Sequence, residues 1–106
     1  MDPTIALQST LVAVKEQVSA DLSGEVVILN MRNGEYFGLN SVGAAIWELL
    51  QEPRTIAEVR DLLLEMYPDA DRDRCTQDLL NLATQLADAQ LVEVESGADS
   101  ALRPRP

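Results

Sequence analysis

Short apolar runs and one alternating stretch fill the chain from Leu11 to Leu39, and apolar residues recur every third or fourth position after that. Short runs bounded by turn residues suit strands, and the 3–4 spacing belongs to helices. Leu11-Val12-Ala13-Val14 is a short β-rich run. Val18, Ala20 and Leu22 alternate with Ser19 and Asp21, which predicts a second extended piece on the same arm. Strands are expected near residues 25–30 and 35–39, joined by Met31-Arg32-Asn33-Gly34, where Asn and Gly tolerate the positive φ of hairpin loops. A half-buried hairpin alternates apolar with polar residues. This one does not: Val26, Val27, Ile28 and Leu29 run unbroken, and Tyr36, Phe37 and Leu39 crowd the partner strand. Helices can cover one face of such a sheet. Its other face or its edge then needs a different cover.

Three helices follow. The first is expected from about Ser41 to Gln51, capped by Asn40 or Ser41, with Val42, Ala45, Ile46, Leu49 and Leu50 at helical spacing and Glu52-Pro53 ending it. The second starts with Thr55 and Glu58, the spacing of a capping box. It buries Ile56, Val59, Leu63 and Met66 and stops at Tyr67-Pro68. The third is expected over roughly Asp69 to Ala89, with Asp69, Asp71 and Asp73 against the positive end of its dipole. Its apolar residues cover about half the circumference, wider than the ~100° stripe of one core contact. Either it is sandwiched between helices and sheet, or part of it faces something outside the core. Leu91-Val92-Glu93-Val94 suits a short closing strand. Residues 1–9 are expected to fray, residues 10–94 to form one domain and residues 95–106 to be a disordered tail. The order is β-arm, hairpin and three helices, an α+β winged-helix-like domain.

The 106 residues, 46% of them hydrophobic, suffice for one modest core. A net charge of −10 opposes binding to phosphate backbones or anionic lipid and attracts basic peptides, besides aiding solubility. There is no histidine, which removes the usual general base and the commonest metal ligand. The single cysteine, Cys75, falls on the apolar arc of the third helix, where a buried inert thiol is the expectation. Gly34, Gly38 and Gly43 form no phosphate loop, and the acidic pairs lack EF-hand spacing. No catalytic residue, metal or cofactor is expected. Nor is there an apolar run long enough to span a bilayer or a signal peptide, so a cytoplasmic, membrane-free protein is the expectation. Trp47 has two roles open to it, core packing or contact with a partner. Tyr36 and Phe37 point to opposite sides of their strand, so one enters the core and the other stays available. An aromatic beside an open strand edge suits peptide capture by strand addition. Two other roles are open: an acidic winged-helix transcriptional regulator, opposed by the carboxylates leading the third helix, and a structural subunit dimerising through the hairpin.

Gly24-Glu-Val-Val-Ile-Leu-Asn, Asn33-Gly-Glu-Tyr-Phe-Gly-Leu-Asn40 and Val42-Gly-Ala-Ala-Ile-Trp47 resemble the PqqD-like family. So do Thr55-Ile-Ala-Glu-Val, the Tyr67-Pro68 helix end, and Asp78-Leu-Leu-Asn-Leu with Leu86 before Leu91-Val92. This family comprises the precursor-peptide recognition elements of ribosomally made, post-translationally modified peptides. The likeness spans about residues 10–94 and is nearest to the stand-alone members of lasso-peptide clusters. It implies a three-stranded antiparallel sheet packed on three helices and a non-catalytic role, binding the leader segment of a precursor peptide as a strand beside residues 35–39. The implied partners are that leader, a leader peptidase and a macrolactam-forming cyclase, with the protein a monomer or weak homodimer. Carried over residue by residue, the strand contribution is Glu35, Tyr36, Phe37, Gly38 and Leu39, with Val27 and Leu29 as floor. Cys75, Asp78, Leu79 and Leu82 are the contribution of the third helix. Family members often have Gly before the final Leu-Val; here it is Gln90, which leaves the end of the third helix open.

Overall fold

The computed structural model describes residues 5–95. The order of elements is β1 (Thr10–Ala13), β2 (Gln17–Leu22), β3 (Glu25–Asn30), β4 (Tyr36–Leu39), α1 (Ser41–Leu49), β5 (Arg54–Thr55), α2 (Ile56–Met66), α3 (Arg72–Asp88) and β6 (Val92–Glu95). The fold is α+β, with a three-stranded antiparallel sheet β2-β3-β4 and three helices. The two pieces of the N-terminal arm part company. β2 joins the hairpin, while β1 lies in a second small sheet of order β5-β1-β6, which the sequence pattern did not foretell. β5 has only two residues, too few for any periodicity to show.

One core joins all of this. Val26, Ile28 and Leu39 from the larger sheet pack with Ile46 and Trp47 of α1, with Val59 and Leu63 of α2, and with Leu79, Ala83 and Leu86 of α3. Trp47 is 3% exposed and so belongs to the core. Of the expected α2 stripe, Ile56, Val59 and Leu63 are buried, but Met66 in the last turn is 51% exposed.

The capping box of α2 closes both ways: Thr55 N donates to Glu58 Oε1 at 2.8 Å, and Glu58 N to Thr55 Oγ1 at 3.1 Å. Residues 5–9, expected to fray, form a turn against this end. The Ser9 and Leu7 carbonyls accept from Ile56 N and Ala57 N, at 3.0 and 2.9 Å, satisfying donors that a helix start leaves orphaned. Residues 1–4 and all of the expected tail except Glu95 lie outside the described residues.

α3 begins at Arg72, later than Asp69, because the Asp71 side chain caps it by accepting from Asp73 N at 3.0 Å. Its other end is a Schellman motif. Leu91 N donates to Leu86 O at 2.9 Å and Gln90 N to Ala87 O at 3.0 Å, with Gln90 at φ 61. Gln90 therefore takes the left-handed conformation that glycine adopts without a Cβ penalty. Gln90→Gly is expected to stabilise the protein by about 0.5–1 kcal/mol, the left-handed strain removed less the extra chain entropy of glycine. A melting midpoint several degrees higher would show it; an unchanged or lower one would mean the Gln90 side chain compensates.

Candidate functional site

The register of the larger sheet sorts its apolar residues between two faces. Val26 pairs with Leu39 and Ile28 with Phe37; Val27 pairs with Gly38 and Leu29 with Tyr36. The first pairs lie on the face that the helices cover. Val26, Ile28 and Leu39 are buried there, and Phe37 is half-buried against the core. The second pairs lie on the opposite face, and β2 adds Val18 opposite Leu29 and Ala20 opposite Val27. That outer face is apolar and open, with Tyr36 72% and Val18 54% exposed.

Among the described residues β4 pairs only with β3, so its other side is a free edge. Asn30 N donates to Glu35 O at 2.8 Å, which makes 30/35 a hydrogen-bonded pair of the ladder. Such pairs alternate in an antiparallel ladder. Phe37 and Leu39 accordingly bond β3, while Tyr36 and Gly38 aim their N–H and C=O groups at the free edge. The open side of β4 thus carries a ready row of donors and acceptors, set by register alone.

Beside that edge runs a groove between β4 and α3. Phe37, Gly38 and Leu39 form one bank; Asp78, Leu82 and Gln85 form the other; Val42 and Ile46 of α1 lie at its end. Val42, Ile46 and Asp78 also line an adjoining pocket of about 440 Å³ near the start of α3. Cys75, Leu79, Leu63 and Tyr67 give this pocket an apolar wall, and Asp69, Asp71 and Arg74 stand among its lining residues. The excess apolar arc of α3 is thereby divided. Leu79, Ala83 and Leu86 are buried, while half-buried Leu82 borders the groove and half-buried Cys75 the adjoining pocket.

The structure brings most of the sequence-derived site residues together. Phe37, Gly38, Leu39, Asp78 and Leu82 line the groove, and Cys75, Asp78 and Leu79 line the adjoining pocket. Glu35 is exposed where the loop enters β4. Tyr36 serves the edge with its backbone and turns its ring to the outer face. Val27 and Leu29, expected as the floor, are not brought there: the register turns them to the outer face. Ile46 and Val42 take part instead. The sequence placed both on the α1 stripe, but only the structure shows that Val42 stays 44% exposed there.

Electrostatically the groove is acidic at the α3 start. Arg74 Nε reaches Asp78 Oδ2 at 4.0 Å, but both side chains are well exposed and such a pair adds little. Burial pushes the Cys75 thiol up, the Asp78 carboxylate adds to the shift and Arg60 opposes it. Cys75 is therefore expected to react with thiol reagents more slowly than free cysteine at neutral pH, with a rate that climbs as pH rises. A labelling rate at or above that of free cysteine at pH 7.5 would contradict this. Among the described residues no cluster of His, Cys, Asp or Glu could hold a metal ion, and no helix is long and apolar enough to cross a membrane.

One buried polar side chain fastens the hairpin to α3. Asn30, 2% exposed, donates from Nδ2 to Ala89 O at 2.9 Å, and its Oδ1 accepts from Arg32 N at 2.9 Å. It thereby ties the β3–β4 hairpin to the end of the helix that forms the opposite bank. Sequence reasoning passed over it, because its partner lies 59 residues away.

A winged-helix-like α+β domain with a free strand edge beside an apolar groove is the class of protein these elements define. The family model described as coenzyme PQQ synthesis protein D (PqqD) matches residues 25–92, and the chain belongs to this family. The chain is also similar to the solved structure of TbiB1 in complex with the TbiA(beta) leader peptide. The two share 35% sequence identity and a TM-score of 0.72, over 80% of this chain and 98% of that one. No curated protein sequence matches.

Proposed function

We propose that this protein is a non-catalytic recognition element that binds the leader segment of a ribosomally made precursor peptide. The leader adds as a strand to the free edge of β4, and alternate side chains drop into the groove against α3. The domain presents the bound precursor to the modifying enzymes of its pathway, a leader peptidase and a cyclase of the lasso-peptide type. The observation that carries this is the outward-facing backbone of Tyr36 and Gly38 alongside an apolar groove. Backbone hydrogen bonds then supply affinity and the groove supplies specificity. Support comes from the PqqD membership and from TbiB1, which was captured with a leader peptide.

The expected affinity follows from simple magnitudes. Two or three buried apolar side chains contribute roughly 1.5–3 kcal/mol each. Ordering a disordered leader offsets much of that. These side chains alone come to at most about 9 kcal/mol before that offset. The expected micromolar to sub-micromolar range, about −8 to −10 kcal/mol, therefore requires the backbone hydrogen bonds along β4 to add about 0.5–1.5 kcal/mol each. Asp69, Asp71 and Asp78 favour a leader with a basic residue near the α3 start. The test is to find a short precursor frame beside the gene and titrate its fluorescein-labelled leader. Saturable binding that also shields Cys75 from alkylation is the expected result. No saturable binding to that peptide would end the proposal.

A further inference from the structure

Gly38 is a glycine that the rest of the chain does not require. Gly24 and Gly34 sit at φ 90 and φ 75, where other residues are strained. A Cβ at Gly43 would lie 3.0 Å from Leu39 Cδ2. Gly38 has neither reason: its φ lies outside the left-handed region, and an added Cβ would meet nothing within 4 Å. Glycine inside a strand loosens the chain and forgoes a packing side chain. Nothing within the described residues makes use of that concession, so the occupant of the edge is the place to look.

The position of Gly38 gives the gap a shape. It lies within β4, and its missing side chain belongs to the outer face, between Tyr36 two residues along the strand and Val27 opposite it on β3. Bare backbone floors this gap, with an exposed ring on one side and an aliphatic side chain on the other. A strand added to the edge places one residue directly opposite Gly38, and its side chain stands on the same outer face in either strand direction. Large side chains on a neighbouring strand cover strand glycines well.

We infer that Gly38 determines leader specificity: with Tyr36 and Val27 it forms a slot on the outer face for a large apolar side chain of the bound leader. This rests on strand addition to β4. It adds a second readout on the face away from α3, so that alternate leader residues are read on both sides of the sheet. The side chain is apolar because the slot lies among Val27, Leu29 and Tyr36, with Ala20 beyond.

The experiment compares wild type with Gly38→Ala and Gly38→Val. Both variants are expected to melt at or above the wild-type midpoint, since strands favour residues with a Cβ. Gly38→Val is expected to weaken binding of the labelled leader about tenfold or more by overfilling the slot, and Gly38→Ala less. A glycine scan of the leader then locates the covering residue: at one position, glycine removes the difference between wild type and G38V. Equal affinity of all three proteins, or a loss that no leader position suppresses, overturns the slot while leaving leader binding intact. If wild type itself does not bind the leader, strand addition and the slot fall together.

Discussion

Leu82→Asp is expected to weaken leader binding about a hundredfold while the free domain stays folded. Leu82 stands on the α3 bank of the groove, facing Phe37 across it, and is only half-buried. In the free protein the new carboxylate can therefore remain hydrated. In the complex it would be covered. Losing one buried apolar side chain costs about 1.5–3 kcal/mol, and burying an unpartnered polar group costs about 1–3 kcal/mol more. The lower ends of the two ranges together come to about 2.5 kcal/mol, close to a factor of a hundred in the dissociation constant. Asp78, one turn earlier on the same helix and on the same bank, adds repulsion within α3 but none towards the leader. Asn81→Asp is the control, because it places the same charge on an exposed position of α3 outside the groove. The measurement is leader titration with a melting curve for each variant. Equal losses from both substitutions would mean that overall charge, not the groove, controls binding. An unchanged affinity for Leu82→Asp would move the leader off this face.

The second large effect concerns Asn30, and for its acidic variant the size of the loss depends on pH. Asn30 Nδ2 donates to Ala89 O at 2.9 Å and lies 3.5 Å from Gln90 O, and Asn30 itself is buried. Asn30→Leu removes both side-chain bonds and is expected to cost about 1–3 kcal/mol, because Ala89 O and Arg32 N lose their buried partner. Asn30→Asp keeps the shape but sets a carboxyl oxygen against carbonyl oxygens. Burial and this contact favour the neutral acid, which raises the carboxyl pKa in the folded state above its value of about 3.9 in the unfolded chain. The unfolded state then binds fewer protons than the native state between those two values, so stability falls as pH rises through that window. Asn30→Asp is expected to approach wild-type stability at acid pH and to lose it towards neutrality, the reverse of an ordinary ion-paired carboxylate. Melting curves across pH, referenced to wild type, read this directly. A difference between the two proteins that does not vary with pH would mean that the site hydrates the charge. Because Asn30 links the hairpin to the end of α3, the same variant is also expected to loosen the groove and weaken leader binding.

What the sequence by itself determined is held within a few residues. Thr55 and Glu58 mark the start of α2 because both bonds of the capping box span three residues. The Met31–Gly34 loop, with Gly34 at φ 75, ends one strand and starts the next. The spacing of Leu79, Leu82 and Leu86 identified a helix with apolar surface to spare, and that surface now borders the groove. Phe37, Leu39, Cys75, Asp78 and Leu82 came as site residues from the family likeness, while local patterns placed them on a strand and on the third helix.

Other features only the tertiary structure decided. A strand that is apolar on both faces carries no signal for which face turns inward, and a shift of one residue exchanges the two. Pairing with β4 sent Val26 and Ile28 to the core and Val27 and Leu29 to the open face, against the expectation for the latter two. The same pairing set Phe37 beside the groove and Tyr36 away from it. The second sheet joins Thr10–Ala13 to Val92–Glu95, nearly the two ends of the described chain, and no local pattern specifies a partner at that distance. The over-apolar hairpin was legible from the start; which of its apolar residues meet a helix and which stay open was settled by hydrogen-bond register between strands.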